Sequence, residues 1–354
     1  MKAGLISFTR NGRDTAKKIN RVLKEEGWAV AEDVKSICFQ DSYSGSLKNW
    51  TEEHWKEDAL IFVGAVGIAV RAIAPFVVSK KEDPAVIVVD EHGKYCIPIL
   101  SGHIGGANEV AGMLGEKLSI EAVITTATDL NHKWAVDVFA KKNGLVIDDM
   151  KKAKEVSANL LAGKSICLYL EPEGRIRGQV PEEVKIFDEE VKKDESCMEI
   201  QIGVRKYSKL TDRKAEIAEV LHLVPKVVIL GIGCKKGTDA EAIEKLVDQV
   251  LCDNEIYPEA VKLVASIDLK KEEPGLCEFC EKQGISFRTF SKEELEQVKG
   301  TFEGSEFVRQ ITGVDNVCER SARCAGGEKI LVHKTAKDGV TVAVAVEKWS
   351  VNFE

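Results

Sequence analysis

Two short runs, "ALIFV" at 59–63 and "AVIVV" at 85–89, are apolar at every position. A strand with one wet face alternates apolar and polar side chains. A strand apolar throughout needs cover on both faces, as in a largely parallel sheet between helices. Their surroundings fit that demand. "AGLISF" reads as a first strand, followed by a helix over Asp14–Glu26 with Ile19, Val22 and Leu23 on one face. "AVIVVD" and "KYCIPILS" flank "EHGK", a hairpin turn signal. The stretch "LSGHIGGANEVAGMLGEKL" comes next, then an expected strand over "AVITTAT" and a helix from about His132 to Lys142. The fold class expected here is α/β, with residues 1–145 forming a three-layer, sandwich-like domain.

The texture changes over 146–224. One helix (Lys151–Leu161) precedes three strand-like runs, "SICLYL", "VKIFD" and "MEIQIGV", joined by charged loop sequence. This is expected to be a small α+β middle module. From 225 to 354 the α/β pattern returns. "KVVILGIG" is a buried strand, "DAEAIEKLVDQVL" an amphipathic helix, "KLVASIDL" the next strand, and "KILVHKTAKDGVTVAVAV" a hairpin turning at Asp338–Gly339. Thr238–Glu241 and Ser291–Glu294 both match the capping box. Two α/β domains joined by the middle module is the organisation expected of the 354 residues.

Composition narrows the function classes. The net charge of −8 argues against broad nucleic-acid binding, though an anionic small molecule could sit in a locally basic pocket. The apolar stretch near the N-terminus is too short for a signal peptide core. The longest apolar candidate for a membrane span is cut by Arg71 and Pro75. No membrane association and a cytoplasmic location are expected. The ten cysteines are scattered, mostly in apolar segments, which fits free thiols in a reducing compartment. Cys277 and Cys280 form a C-x-x-C inside a helix and lack a second pair for zinc, so a half-buried helix face is the plain reading.

Several junctions carry polar groups. In "SGHIGGANE", Ser101, His103, Asn108 and Glu109 gather at a helix N-terminus, where histidine can act as acid or base. The plain alternative is a serine cap beside a surface histidine. "FVGAVGIAVRAIAP" puts Gly64 and Gly67 after a strand and Arg71 in an apolar helix. That arginine is either ion-paired or a carboxylate-binding group. Thr125, Thr126, Thr128 and Asp129 follow the "AVITTAT" strand, where Asp129 could equally be a helix cap. All three junctions are expected at the same end of one sheet. "GIGCKKGTDAEAIEKL" is neither a dinucleotide fingerprint nor a P-loop. It still offers Gly233, Lys235 and Lys236 beside a helix start, suited to an anion or simply to a tight turn. Asp268, Lys270 and Glu273 end a later strand. Asp315, Asn316 and Glu319 precede a helix, and a solvated loop is the plain reading of both groups.

Taken together, these motifs resemble one family. "FVGAVGIAVRAIAP", "DPAVIVVDEHGKYCIPILSGHIGGANEVA" and "VITTATD" resemble the N-terminal domain of the CbiG proteins, the cobalt-precorrin-5A hydrolases of anaerobic cobalamin biosynthesis. "GIGCKKGTDAEAIE", "ASIDLKKEEPGL" and "ITGVDNVCERSA" resemble their C-terminal domain. The order matches along nearly the whole chain. Departures fall at Cys277 and Cys280, where the family often has small or apolar residues, and at the basic "RSARCAGG".

The resemblance implies a hydrolase acting on a carbon–carbon bond. Its substrate would be a ring-contracted cobalt corrinoid whose ring A acetate forms a δ-lactone with the extruded carbon. The enzyme would open the lactone and release the two-carbon fragment as acetaldehyde, giving cobalt-precorrin-5B. The cobalt belongs to the substrate, so no cofactor and no protein-held metal are expected. Transient contact with neighbouring pathway enzymes is also implied. In this light His103 is the first candidate for general acid/base, with Glu109 or Asp129 orienting it or serving as base. The amides of Gly102, Gly105 and Gly106 would bind the oxyanion or a substrate carboxylate. Arg71, Lys235, Lys236 and Lys270 would clamp peripheral carboxylates. Gly64, Gly67, Ser101, Asn108, Thr126, Gly233, Asp268 and Glu319 complete the expected substrate contacts. Two rival readings follow from the same residues: a non-catalytic corrinoid carrier, and a methyltransferase of the same pathway. The latter lacks a Gly-rich adenosine loop with a ribose acid. A nucleotide-dependent enzyme is weakened by the missing Lys-Ser/Thr.

Overall fold

The computed structural model describes residues 1–79, 82–103, 105–126, 133–187, 198–206 and 220–354. The chain divides into two compact units, Met1–Lys133 and Trp134–Glu354. The mixed α/β class expected from the sequence is the one observed.

The first unit is built on β1 (Lys2–Ser7), α1 (Arg10–Glu25), β2 (Ala29–Val34), α2 (Leu47–His54), β3 (Ala59–Val63), α3 (Val66–Ile73), β4 (Ala85–Val89), β5 (Tyr95–Leu100), α4 (Ala107–Leu118) and β6 (Glu121–Ala122). The sheet order is β2-β1-β3-β4-β5-β6. β3 and β4 are the two fully apolar runs, and every residue in them is buried. Alternate side chains explain why both faces are covered. Ile61, Val63, Ile87 and Val89 pack with Ile19 and Leu23 of α1 and Val110 and Leu114 of α4. Leu60, Phe62, Val86 and Val88 pack on the other face with Trp50 of α2 and Ala69, Ala72 and Ile73 of α3. Three layers result. The expected strand "AVITTAT" shrinks to Glu121–Ala122 at the sheet edge, with Val123 N–H still donating to Cys96 O at 2.8 Å.

One pairing decides where the site lies. β1 to β4 are mutually parallel, but β5 runs back against β4, with Val89 facing Cys96 and Val86 facing Leu100. The "EHGK" turn is the hairpin that reverses it, with Gly93 at φ +69°. The carboxyl end of β5 therefore lies at the amino-end edge of β3 and β4.

In the second unit, α5 (Val136–Lys142), β7 (Leu145–Ile147), α6 (Met150–Leu161), β8 (Ile166–Leu170), β9 (Gly174–Arg177), β10 (Val184–Phe187), β11 (Met198–Ile202) and β12 (Leu221–Pro225) come first. Their main sheet runs β10-β8-β11-β12-β7. α5, read from the sequence as the last helix of the first domain, packs Val136, Phe139 and Ala140 into this unit's core. The same apolar cluster continues into the final module, so the middle and last modules share one core. Tyr169, Gln201 and His222 stand in register on neighbouring strands of the middle sheet. His222 is 3% exposed, and neither ring nitrogen has a hydrogen-bond partner among the described residues.

The last module contains β13 (Val228–Cys234), α7 (Ala240–Asp253), β14 (Val261–Ile267), α8 (Pro274–Gln283), β15 (Ser286–Phe290), α9 (Lys292–Gln297), α10 (Glu306–Thr312), α11 (Cys318–Cys324), β16 (Lys329–Lys337), β17 (Val340–Val346) and β18 (Trp349–Asn352). Its sheet order is β15-β14-β13-β17-β16. The β16–β17 turn has Asp338 and Gly339 both at positive φ, as that dipeptide predicts. The Ser291–Glu294 capping box forms in full. The Thr238–Glu241 box does not: Asp239 is the N-cap, and Thr238 Oγ1 instead donates to Lys235 O at 2.9 Å. β18 returns to pair with β9 of the middle module. The described cysteines are free, with Cys277 half-buried and Cys280 buried on one helix.

Candidate functional site

The loop from Ser101 to Gly106 joins β5 to α4 and is folded tightly on itself. Gly106 N–H donates to His103 O at 3.0 Å, Ala107 N–H to Ser101 O at 3.2 Å, and Asn108 N–H to Gly102 O at 3.0 Å. The loop carbonyls thus take the first amides of the helix, which would otherwise lack partners. Each glycine has a local cause. A Cβ on Gly105 would lie 2.2 Å from the Ser101 Cβ, and one on Gly102 would lie 2.8 Å from Asn108 Oδ1. Gly106, the N-cap, sits at φ +88°. Ser101 also adopts a left-handed φ of 55°, sparsely populated for a residue with a Cβ.

Ser101 does not cap the helix. Its hydroxyl donates to Asp83 O at 3.0 Å, while the Asp83 carboxylate accepts from Val78 N–H at 3.0 Å. Asp83, which sequence reasoning passed over, thereby ties the segment after α3 to the glycine loop. Asn108 Nδ2 donates to Thr126 Oγ1 at 3.0 Å, which joins the loop to the segment after β6. His103 is half-buried, and Glu109 is exposed in the first turn of α4. Asp129 lies outside the described residues.

Two of the three expected junctions therefore meet, and the third does not begin there. Gly64 N–H donates to Val89 O at 2.8 Å, which fixes Gly64 at the edge opposite Leu100. The expectation of three junctions at one end overlooked the reversal of β5. α3 starts at that opposite edge, and its last residues, Ala72 and Ile73, share an apolar cluster with Leu100. Gly64 is required by the ring of Phe8, 2.9 Å from where a Cβ would stand. A Cβ on Gly67 would meet nothing within 4 Å. Arg71 is exposed, with no ion pair to another described residue.

In the last module the glycines answer to packing. A Cβ on Gly231 would lie 1.8 Å from Cys318 O, and one on Gly233 would lie 2.7 Å from Thr341 Oγ1. α11 lies against β13 because Gly231 is bare, and bare Gly233 makes room for Thr341 of β17. Lys235 and Lys236 are exposed, and Asp268 is exposed at the end of β14. Lys270 is committed internally, 2.6 Å from Glu273, whose other oxygen accepts Gly237 N–H at 2.6 Å. The Lys270 bond holds the Glu273 carboxyl below the usual carboxylate range. Glu319 is fully buried. Its oxygens take Lys334 N–H at 2.8 Å, Nδ1 of His333 at 3.1 Å and Glu303 N–H at 3.4 Å. The β16 bulge at 333–334 frees that amide, so the carboxylate holds a distorted strand rather than lining the edge. Asn316, 1% exposed, caps from inside by accepting Glu319 N–H at 2.9 Å. His333 was not singled out by the sequence, since nothing near it in the chain marks the bulge. Among the described residues, no three His, Cys, Asp or Glu side chains group as metal ligands. No helix among them is long and apolar enough to cross a membrane.

A polar, glycine-shaped loop at the edge of an α/β sheet, followed by a middle and a second α/β module, defines the class. Residues 49–129 match the family described as cobalamin synthesis G N-terminal, 134–225 the cobalamin biosynthesis central region, and 228–345 the cobalamin synthesis G C-terminus. The cobalt-precorrin-5A hydrolase of Salmonella typhimurium is 35% identical over 81% of this chain and 82% of its own. That of Priestia megaterium is 29% identical over 97% and 94%. A crystal structure of a cobalamin biosynthesis protein G homolog from Sulfolobus solfataricus is 25% identical, spans 98% of this chain and 97% of its own, and superposes with a TM-score of 0.41. This chain belongs to the CbiG family.

Proposed function

We propose that this chain is a cobalt-precorrin-5A hydrolase. The observation that carries the reading is the 35% identity to the Salmonella hydrolase over 82% of that protein. The substrate is the lactone-bearing cobalt corrinoid, a flat ring rimmed by carboxylates, and the cobalt arrives with it rather than on a protein-held site. Water adds to the lactone carbonyl, the tetrahedral oxyanion collapses, and the ring A acetate is freed. The hydroxyl left on the extruded carbon then loses its proton. The carbon–carbon bond to the macrocycle breaks, acetaldehyde leaves, and the electron pair returns to the ring with a proton.

His103 is the group proposed to move those protons, because it is half-buried on a loop whose backbone is fixed by its own hydrogen bonds. Oxyanion donation falls to the amides of Gly102 and Gly105, which donate to no described residue. Gly106 drops out of that role, since its N–H is spent on His103 O. Glu109 acts on the helix terminus rather than through a described contact, and Asp129 keeps its role as a proposal from sequence. Lys235 and Lys236, exposed and without an ion pair to a described residue, suit peripheral carboxylates, whereas Lys270 is already neutralised by Glu273. The reaction takes place in the cytoplasm, beside the neighbouring enzymes of the pathway. Incubation with cobalt-precorrin-5A and trapping of acetaldehyde tests the reading. Stoichiometric acetaldehyde is expected. Corrinoid binding without acetaldehyde would establish the carrier in its place.

A further inference from the structure

The solvent face of α3 is unlike that of an ordinary surface helix. Val66 and Val70, one turn apart, are 37% and 47% exposed, and just beyond the helix Val77 and Val78 are 44% and 75% exposed. Gly67 and Arg71 run alongside at the same spacing. A helix that packs one face on a sheet normally carries charge on the other. Among the described residues from 65 to 78, the exposed ones are valine, glycine, alanine and Pro75, and the charge among them is Arg71. Exposed apolar side chains gathered on one helix and the segment that follows it are the kind of surface that binding sites use.

The patch is also joined to the site. Val78 N–H is held by the Asp83 carboxylate, and Asp83 O takes the Ser101 hydroxyl. The far end of the apolar strip is thereby fixed against the first residue of the loop that carries His103.

We infer that the strip Val66–Gly67–Val70–Arg71–Val77–Val78 is the shelf on which the corrinoid lies, with one ring face on the valines and a peripheral carboxylate on Arg71. This deepens the proposed function and rests on it. The strip and the ring are complementary. A macrocycle with apolar faces and an anionic rim needs an apolar shelf with a cation at its border, and the shelf needs no hydrogen bonds across the ring plane. An eight-residue helix is about 12 Å long, enough to support a ring along its axis. The open space over Gly67 fits the same purpose, since a side chain there would stand up from the shelf.

The test uses cobyrinic acid, a cobalt corrinoid with free carboxylates and no lactone, titrated by its absorbance against the full-length protein. Val70→Asp and Val78→Asp replace exposed side chains, so little stability is expected to be lost, as melting temperature reads it. Each variant, and Arg71→Glu, is expected to weaken binding by about tenfold or more. Unchanged affinity in Val70→Asp and Val78→Asp would overturn the shelf. So would absence of cobyrinic acid binding by the wild type. A dimer that becomes monomeric in Val70→Asp with corrinoid affinity intact would overturn it as well, assigning the face to a second copy. Acetaldehyde release by the wild type is read separately, so loss of the shelf leaves the hydrolase reading standing, and loss of acetaldehyde with binding intact does the reverse.

Discussion

Two of the glycine-rich junctions between a strand and a helix, at 101–106 and 231–237, are used in opposite ways. In the first unit, Gly102, Gly105 and Gly106 let a loop fold onto itself and leave His103 and Asn108 at its rim. In the last module, Gly231 lets α11 lie against β13, Gly233 makes room for Thr341, and Gly237 donates to a carboxylate already paired with Lys270. The first junction spends glycine on shaping a polar loop, the second on close packing. Glycine count and spacing alone do not separate the two. What separates them is what a Cβ would strike: the loop's own atoms in one case, a crossing helix in the other.

The largest effect is expected at Gly231. Gly231→Ala puts a methyl 1.8 Å from a helix carbonyl. It is expected to destabilise the second unit by about 3 kcal/mol or more, read by denaturant unfolding. Gly105→Ala, which clashes only within its own loop, should leave the unfolding midpoint far less changed while lowering acetaldehyde release. If the two variants lost stability equally, the contrast between the junctions would fail. Glu319→Ala comes next. It strips a buried carboxylate from the Lys334 amide and should cost about 1–3 kcal/mol. Glu319→Gln, which keeps an acceptor, should cost less. Ser291→Ala removes a formed capping box and should cost about 1 kcal/mol, whereas Thr238→Ala, where no box forms, should cost less than that.

A pH series sharpens the description of the second unit. Burial, the largest cause, lowers the His222 pKa. Lys152 adds to the effect, and the Asp148 charge opposes it. A depressed folded value means that the unfolded chain takes up this proton first as pH falls. The stability tied to neutral His222 is therefore complete above about pH 6.5 and is lost as pH falls through the lower folded value. His222→Leu should flatten that acid-side loss. At pH 7 it should cost little, because no hydrogen bond to a described residue is given up. An unchanged pH profile in His222→Leu would remove His222 from this account.

Much of this was legible in the sequence. The all-apolar runs at 59–63 and 85–89 demanded covered faces, and Asp338–Gly339 and Ser291–Glu294 carried their own turn and cap chemistry. "EHGK" was legible as a hairpin too, and its consequence was available: a strand that turns back ends at the other edge of the sheet. That separates the start of α3 from the loop at 101–106, and tertiary pairing, not local pattern, decides it. Asp83, Glu273 and His333 were illegible as partners. Their roles depend on a carbonyl, an amide and a strand bulge, groups every residue shares and no composition reveals.

His103 is proposed to move protons for the reaction while the surrounding loop and shelf hold the substrate. The measurement that reaches it most directly compares His103→Ala with wild type in two assays, acetaldehyde release from cobalt-precorrin-5A and affinity for cobyrinic acid. The account predicts a loss of release on the order of 10²- to 10⁴-fold with affinity little changed. Wild-type release in His103→Ala would contradict it.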